Sequence, residues 1–148
     1  MAYRKINVLF LCTGNACRSQ IAQGWAGHLK GDRIEAFSAG VEPAGFVSER
    51  AVRVMAEAGV DISGQYSKHL DDLCGLDFDY VITVCDYARE TCPVYPGKTK
   101  MIHRSFDDPS FVIGTEEQIM ARFRDVRDQI HDFVADMPEN LEVIAEQK

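Results

Sequence analysis

Two thiols and a guanidinium lie within seven consecutive residues, Cys12-Thr13-Gly14-Asn15-Ala16-Cys17-Arg18, with Ser19 behind them and the apolar run Ile6-Asn7-Val8-Leu9-Phe10-Leu11 in front. This spacing suits an oxyanion trap with a nucleophile at its base. If Leu11 ends a strand and Ser19 opens a helix, the backbone N–H groups of Thr13, Gly14, Asn15, Ala16, Cys17, Arg18 and Ser19 curl around one point and bind an anion there. Arg18 adds a planar fork matched to two tetrahedral oxygens. The same positive field favours Cys12 as the thiolate, whereas a free cysteine near pKa ~8.5 stays mostly protonated at neutral pH. Ser19 can add a hydroxyl donor to that sulfur. An ordinary strand-to-helix turn with a buried cysteine is the alternative; the preceding strand, Gly14 and the following amphipathic helix favour the trap.

Cys85 and Cys92 stand seven positions apart in Cys85-Asp86-Tyr87-Ala88-Arg89-Glu90-Thr91-Cys92-Pro93. On a continuous helix they would share a face but lie ~10.5 Å apart, while a disulfide needs alpha carbons within ~7 Å. They are either two independent, half-buried thiols or a pair whose segment must bend or unwind. Asp107-Asp108-Pro109 follows a later strand. Asp108 can supply a proton to a leaving oxygen, and Asp-Pro is equally an ordinary turn dipeptide stiffened by the ring.

The elements that must hold these groups alternate between strand and helix. The apolar run 6–12 reads as a central parallel strand covered on both faces. A helix over 18–30 follows, with Ile21, Ala22, Trp25, Ala26 and Leu29 along one stripe, then a strand over 34–38. Residues 48–58 read as a helix with Ser48 as N-cap and Gly59 as its stop. Strands are expected at 79–84, ending at Cys85, and at 100–103. Thr115-x-x-Gln118 is a capping box for a last helix running to Met137-Pro138, and the tail from Glu139 is expected to be mobile. The pattern predicts an α/β fold of three layers, α/β/α, around a four-stranded parallel sheet of order 2-1-3-4. Strands one and three then flank the topological switch, and Cys12 and Cys85 open onto one crevice.

The whole chain constrains the chemistry further. At 148 residues it suits a single domain over 1–148 with a real core. A net charge of −7 argues against nucleic acid, so any attraction for anions must be local. No apolar run approaches the ~20 residues of a membrane span, and cleavage of the short apolar start as a leader would remove the thiol loop. A cytoplasmic location is expected. The five cysteines, Cys12, Cys17, Cys74, Cys85 and Cys92, are too few and scattered for a secreted disulfide framework. Without a C-x-x-C pair or closely spaced histidines, no metal site is expected.

With these motifs in place, the sequence closely resembles the thioredoxin-coupled arsenate reductases, which share the fold of low-molecular-weight protein tyrosine phosphatases. The resemblance rests on Cys12 to Gln20, Ser38-Ala39-Gly40, Asp61-Ile62-Ser63, Cys85-x6-Cys92-Pro93, and Phe106-Asp107-Asp108-Pro109 with Gly114-Thr115-Glu116-Glu117. It implies that arsenate sits on Arg18 and the loop amides, with phosphate or sulfate as competitors. Cys12 then attacks arsenic while Asp108 protonates the departing oxygen. It further implies that Cys85 attacks Cys12 to release arsenite, that Cys92 attacks Cys85, and that external thioredoxin reduces the Cys85–Cys92 disulfide. No bound cofactor is implied, and a monomer is expected. A glutaredoxin or mycothiol system could reduce the same disulfide.

By resemblance Asn15 holds the loop shape and Cys17 is structural; Cys74 has no counterpart in the family and is expected to be packing or a spare thiol. Relatives that bind potassium do so through an Asn, a Glu, a Ser and an Asp, where this chain has Asn15, Gln23, Ser38 and Lys68; the Lys68 ammonium could stand in for the ion. The competing function is a phosphatase in which Cys12, Arg18 and Asp108 form and hydrolyse a phosphocysteine. Only one aromatic, Phe111, follows Asp108-Pro109, where phosphatases of this fold present neighbouring tyrosines. A non-catalytic oxyanion sensor would have no use for three thiols poised for exchange.

Overall fold

The computed structural model describes residues 4–92 and 98–146. Four strands, β1 (Ile6–Cys12), β2 (Ile34–Gly40), β3 (Tyr80–Thr83) and β4 (Lys100–His103), form one parallel sheet of order β2-β1-β3-β4. The predicted topology is the observed one. The register sets Cys12 opposite Gly40 and Leu11 opposite Thr83, so the carboxyl ends of the two central strands and of β2 meet at one edge. Val8, Leu9, Phe10 and Leu11 are fully buried, which explains why β1 reads as a nearly unbroken apolar run.

The sheet is flanked by helices α1 (Arg18–Lys30), α2 (Glu49–Glu57), α3 (Asp86–Thr91), α4 (Glu116–Ala135) and α5 (Glu139–Glu146). Ile21, Ala22 and Ala26 on α1 and Phe123, Val126, Ile130 and Val134 on α4 are buried in one continuous core, and α1 packs against both α4 and β2. The expected caps are present. Ser48 Oγ accepts from Ala51 N at 3.3 Å, and Gly59, with φ +85°, ends the chain's run out of α2 in the left-handed region that glycine tolerates. Thr115 and Gln118 exchange both capping-box bonds, at 3.1 and 2.9 Å.

Two expectations need correction. The second strand does not end at Ser38 but continues through Ala39 and Gly40 alongside Leu11 and Cys12. A β-carbon at Gly40 would stand 2.5 Å from the Thr13 carbonyl oxygen and 3.1 Å from Asn15 N, so the absence of a side chain lets β2 run beside the thiol loop. The tail from Glu139 is not loose. It forms α5, with Leu141 fully buried and Ile144 and Ala145 packed on the core. Its outer face is tied down by Arg33–Glu139 at 2.5 Å, Lys100–Glu142 at 3.0 Å and a Tyr80–Glu142 hydrogen bond. Three apolar residues at helical spacing among acids are a short signal, and the fold supplies the partners that make it stable.

Candidate active site

The loop from Cys12 to Ser19 closes because its carbonyls have partners on the outside. Cys12 O, Thr13 O, Gly14 O and Ala16 O accept from the amides of Val41, Glu42, Ala44 and Ser48 at 2.8 to 3.2 Å, and Asn15 O accepts from Gln20 Nε2 at 2.9 Å. With the carbonyls turned outward, the amides turn in. Asn15 N points at Cys12 Sγ from 3.2 Å. Asn15 has φ +50°, a left-handed conformation that asparagine tolerates better than other residues with side chains. It is fully buried and held by Lys68 N, which donates to its Oδ1 at 3.0 Å.

Asn15 Nδ2 donates to Ser19 Oγ at 2.7 Å, and Ser19 Oγ lies 2.8 Å from Cys12 Sγ, a contact in which the hydroxyl is the donor once the sulfur is the thiolate. The electrostatics are less one-sided than the loop motif alone indicates. Burial pushes the Cys12 thiol up from its ordinary range, opposed by the Ser19 hydroxyl, the Asn15 amide and the Arg18 guanidinium. The expected lowering by the positive field exists but is outweighed by burial, since Cys12 is only 3% exposed. Cys17 is buried behind the loop, and its thiol is pushed far up, first by burial and then by the nearby Asp108 charge. That environment suits packing, in line with a structural role.

Arg18 opens α1 and reaches across the mouth of the loop, donating to Phe106 O at 3.0 Å and meeting Asp108 Oδ2 at 3.4 Å. Asp108 forms the turn expected of Asp-Pro and also faces Arg18. Its Oδ1 caps the short turn Pro109–Phe111 through Ser110 N at 2.9 Å and Ser110 Oγ at 2.5 Å, and its Oδ2 is left facing Arg18. Cys85, at the end of β3 and 4% exposed, lies on the same loop: its Sγ is 3.2 Å from Thr13 Oγ1. Cys12, the loop, Arg18, Asp108 and Cys85 are therefore brought together.

Cys92 is not among them. It caps the far end of α3, its amide donating to Ala88 O at 2.8 Å, with the whole of that helix between it and Cys85. Half-buried, its thiol is pushed up to about 11. Because only the thiolate reacts, alkylation of Cys92 by iodoacetamide in the reduced protein is expected to rise through about pH 11 and to lag well behind that of exposed Cys74 at pH ~8. Peptide mass spectrometry of labelled protein reads both rates; equal rates at the lower pH would show that burial does not restrain Cys92. The exposure of Cys74 removes the packing role and leaves the spare thiol.

Several supporting residues carry no signal in the sequence. Ser67 Oγ donates to Gly14 O at 3.0 Å, and Gln65 Nε2 donates to Gln20 O and Oε1 at 3.0 and 2.7 Å. These come from a connection without periodicity. Lys68 Nζ donates to Ser38 O at 2.9 Å and Tyr66 O at 3.0 Å, 4.6 Å from the centre of the Tyr66 ring, while Ser38 Oγ donates to Gln23 Oε1 at 2.5 Å. Burial draws the Lys68 pKa below its ordinary value, with Asp72 opposing. Among the described residues, no group of three or more His, Cys, Asp or Glu is placed to hold a metal ion, and no helix is long and apolar enough to cross a membrane.

Residues 7–144 match the family described as low molecular weight phosphotyrosine protein phosphatase. An arsenate reductase of Halalkalibacterium halodurans is 45% identical over 123 residues, covering 83% of this chain and 88% of the relative. The chain belongs to the arsenate reductases of this phosphatase family. A solved arsenate reductase in a phosphate-binding state superposes with a TM-score of 0.69 at 34% identity, covering 94% of this chain and 98% of the other. The thioredoxin-dependent arsenate reductase of Corynebacterium glutamicum superposes with a TM-score of 0.65 at 30% identity over all of this chain and 66% of that one. Within the arsenate reductase fold, the anion loop lies at the carboxyl edge of the sheet, where open α/β sheets bind their ligands.

Proposed function

We propose that this arsenate reductase works through three thiols in series, Cys12, Cys85 and Cys92, with thioredoxin as the final electron donor. The observation that carries the reading is the 3.2 Å contact between Thr13 Oγ1 and Cys85 Sγ, which puts a second thiol on the loop that holds the first. Arsenate binds with its oxygens on the loop amides and the Arg18 fork, displacing Arg18 from Asp108. The Cys12 thiolate, supported by Ser19 and Asn15, attacks arsenic; an As–O bond breaks, and Asp108 protonates the oxygen that leaves as water.

Cys85 then attacks Cys12 Sγ as the thiolate. The S–S bond forms, the S–As bond breaks, and its electron pair leaves with arsenic as arsenite. Two thiols have been oxidised and arsenic reduced by two electrons. Cys92 next attacks Cys85, freeing Cys12 and leaving a Cys85–Cys92 disulfide. This step requires α3 to unwind, since the helical rise holds the two ends ~10 Å apart; unwinding also takes Cys92 out of the environment that keeps it protonated. Reduction by thioredoxin, named for the relative from Corynebacterium glutamicum, resets all three thiols.

Trapping tests the sequence of steps. Reduced Cys92→Ser treated with arsenate and no reductant is expected to release one equivalent of arsenite and to hold a Cys12–Cys85 disulfide, read by non-reducing peptide mass spectrometry. Arsenite release without that disulfide would sink the relay.

The Lys68 ammonium takes the place of a cation between the Ser38 and Tyr66 carbonyls, while the backbone N–H of the same residue braces the loop through Asn15. Lys68→Met removes donors from two carbonyls in a largely buried position and is expected to cost about 1–3 kcal/mol in urea unfolding. Exchanging sodium for potassium at constant ionic strength is expected to leave wild-type turnover unchanged; marked potassium-specific activation would refute the substitution.

A further inference from the structure

We propose that Asp86 and Tyr87 are positioning residues that pin the first turn of α3, so that Cys85 stays on the loop while the other end of the helix delivers Cys92. The inference rests on the three-thiol relay. That relay makes opposite demands on α3, which must keep Cys85 still for its attack on Cys12 and then let Cys92 approach.

Three consecutive residues meet the first demand. Asp86 Oδ1 is 2.9 Å from His103 Nε2, and His103 Nδ1 is 2.8 Å from Thr83 Oγ1, so α3 is tied to the carboxyl ends of β3 and β4. Tyr87 OH donates to Glu42 Oε1 at 2.8 Å. Glu42 N in turn donates to Thr13 O at 2.9 Å, and Thr13 is the residue whose hydroxyl meets Cys85. The Tyr87 tether therefore ends on the same residue that touches the thiol. Ala88 is fully buried, completing a turn held on three sides.

Asp86 and Tyr87 are exposed, as are Arg89 and Glu90 beyond them. What holds the first turn is therefore its two side-chain ties and the buried Ala88, and the bend falls beyond the last tied residue, at 89–92. A Cys85–Cys92 disulfide needs the two alpha carbons to close from ~10 Å to within ~7 Å. With the first turn holding Cys85 for its attack on Cys12, Cys92 supplies that travel. An acid in the first turn of a helix has a general reason to be there, since it complements the helix dipole. That reason does not require His103 or Tyr87, which is what makes the two readings separable.

The test uses the full chain in a Cys92→Ser background, where the reaction halts at the Cys12–Cys85 disulfide. Arsenate-driven formation of that disulfide is followed by rapid quench and peptide mass spectrometry. Asp86→Ala combined with Tyr87→Phe is expected to slow it about tenfold, the scale for two lost hydrogen bonds that hold an attacking group in line. Asp86→Asn, which keeps an oxygen toward His103, is expected to recover the rate at Asp86, although its effect on the helix dipole resembles that of alanine. Tyr87→Phe alone should show a smaller loss. Unchanged rates in the double variant, or equal losses for Asp86→Asn and Asp86→Ala, would overturn the tether. A parent protein that forms no arsenate-dependent disulfide would instead overturn the relay itself.

Discussion

Cys85→Ser is expected to lower thioredoxin-coupled arsenate reduction by about a thousandfold or more and to leave hydrolysis of p-nitrophenyl phosphate at the wild-type level. On the proposed relay the two reactions would share Cys12, Arg18 and Asp108 but diverge after the first covalent adduct. A phosphocysteine is resolved by water, whereas an arsenic adduct on Cys12 yields arsenite only when a second sulfur takes over the S–As electron pair. Serine at 85 keeps the size and the hydrogen bond to Thr13 Oγ1 but offers no thiolate. The measurement is NADPH consumption with thioredoxin and its reductase, beside p-nitrophenol release. Normal arsenate turnover in this variant would remove Cys85 from the mechanism.

Arg18→Lys is expected to reduce kcat/KM for arsenate by about a hundredfold to a thousandfold, the range for losing one oriented donor to a developing oxyanion. Lysine preserves the charge but not the planar fork, and it cannot hold two oxygens at once. Arg18 spans Phe106 O at 3.0 Å and Asp108 at 3.4 Å, so the guanidinium also sets the loop that carries Asp108. Phosphate protection of Cys12 against iodoacetamide separates the two contributions: lysine should weaken protection as well as turnover. If turnover and phosphate protection are both retained, Arg18 is not the oxyanion clamp.

Much of this site is legible before folding because local chemistry is written locally. A strand of Val8, Leu9, Phe10 and Leu11 followed by Cys12 to Ser19 specifies a strand, a tight loop and a helix start, and these determine where the nucleophile and Arg18 stand. The strand order followed from alternating elements and right-handed crossovers, and with it came the proximity of Cys85. The misreadings lie where long-range partners decide. Beyond Ser38 the strand continues because Gly40, having no side chain, can lie against the Thr13 carbonyl, a contact that the sequence does not display. Helix α5 looks like a tail in the sequence because its few apolar residues gain stability only from the core they meet.

By itself, then, the sequence determined the thiols and the guanidinium, the loop that presents them and the parallel order of the sheet. Spacing along the chain and the alternation of strand and helix specify these directly. Only the tertiary structure decided the 2.8 Å contact of Ser19 with Cys12, the burial that raises Cys12, the place of Asp108 between Ser110 and Arg18 and the ties from Asp86 and Tyr87 across to His103 and Glu42. Each depends on atoms separated by several residues to tens of residues. Desolvation and hydrogen bonding are properties of an assembled neighbourhood, which no stretch of sequence carries alone.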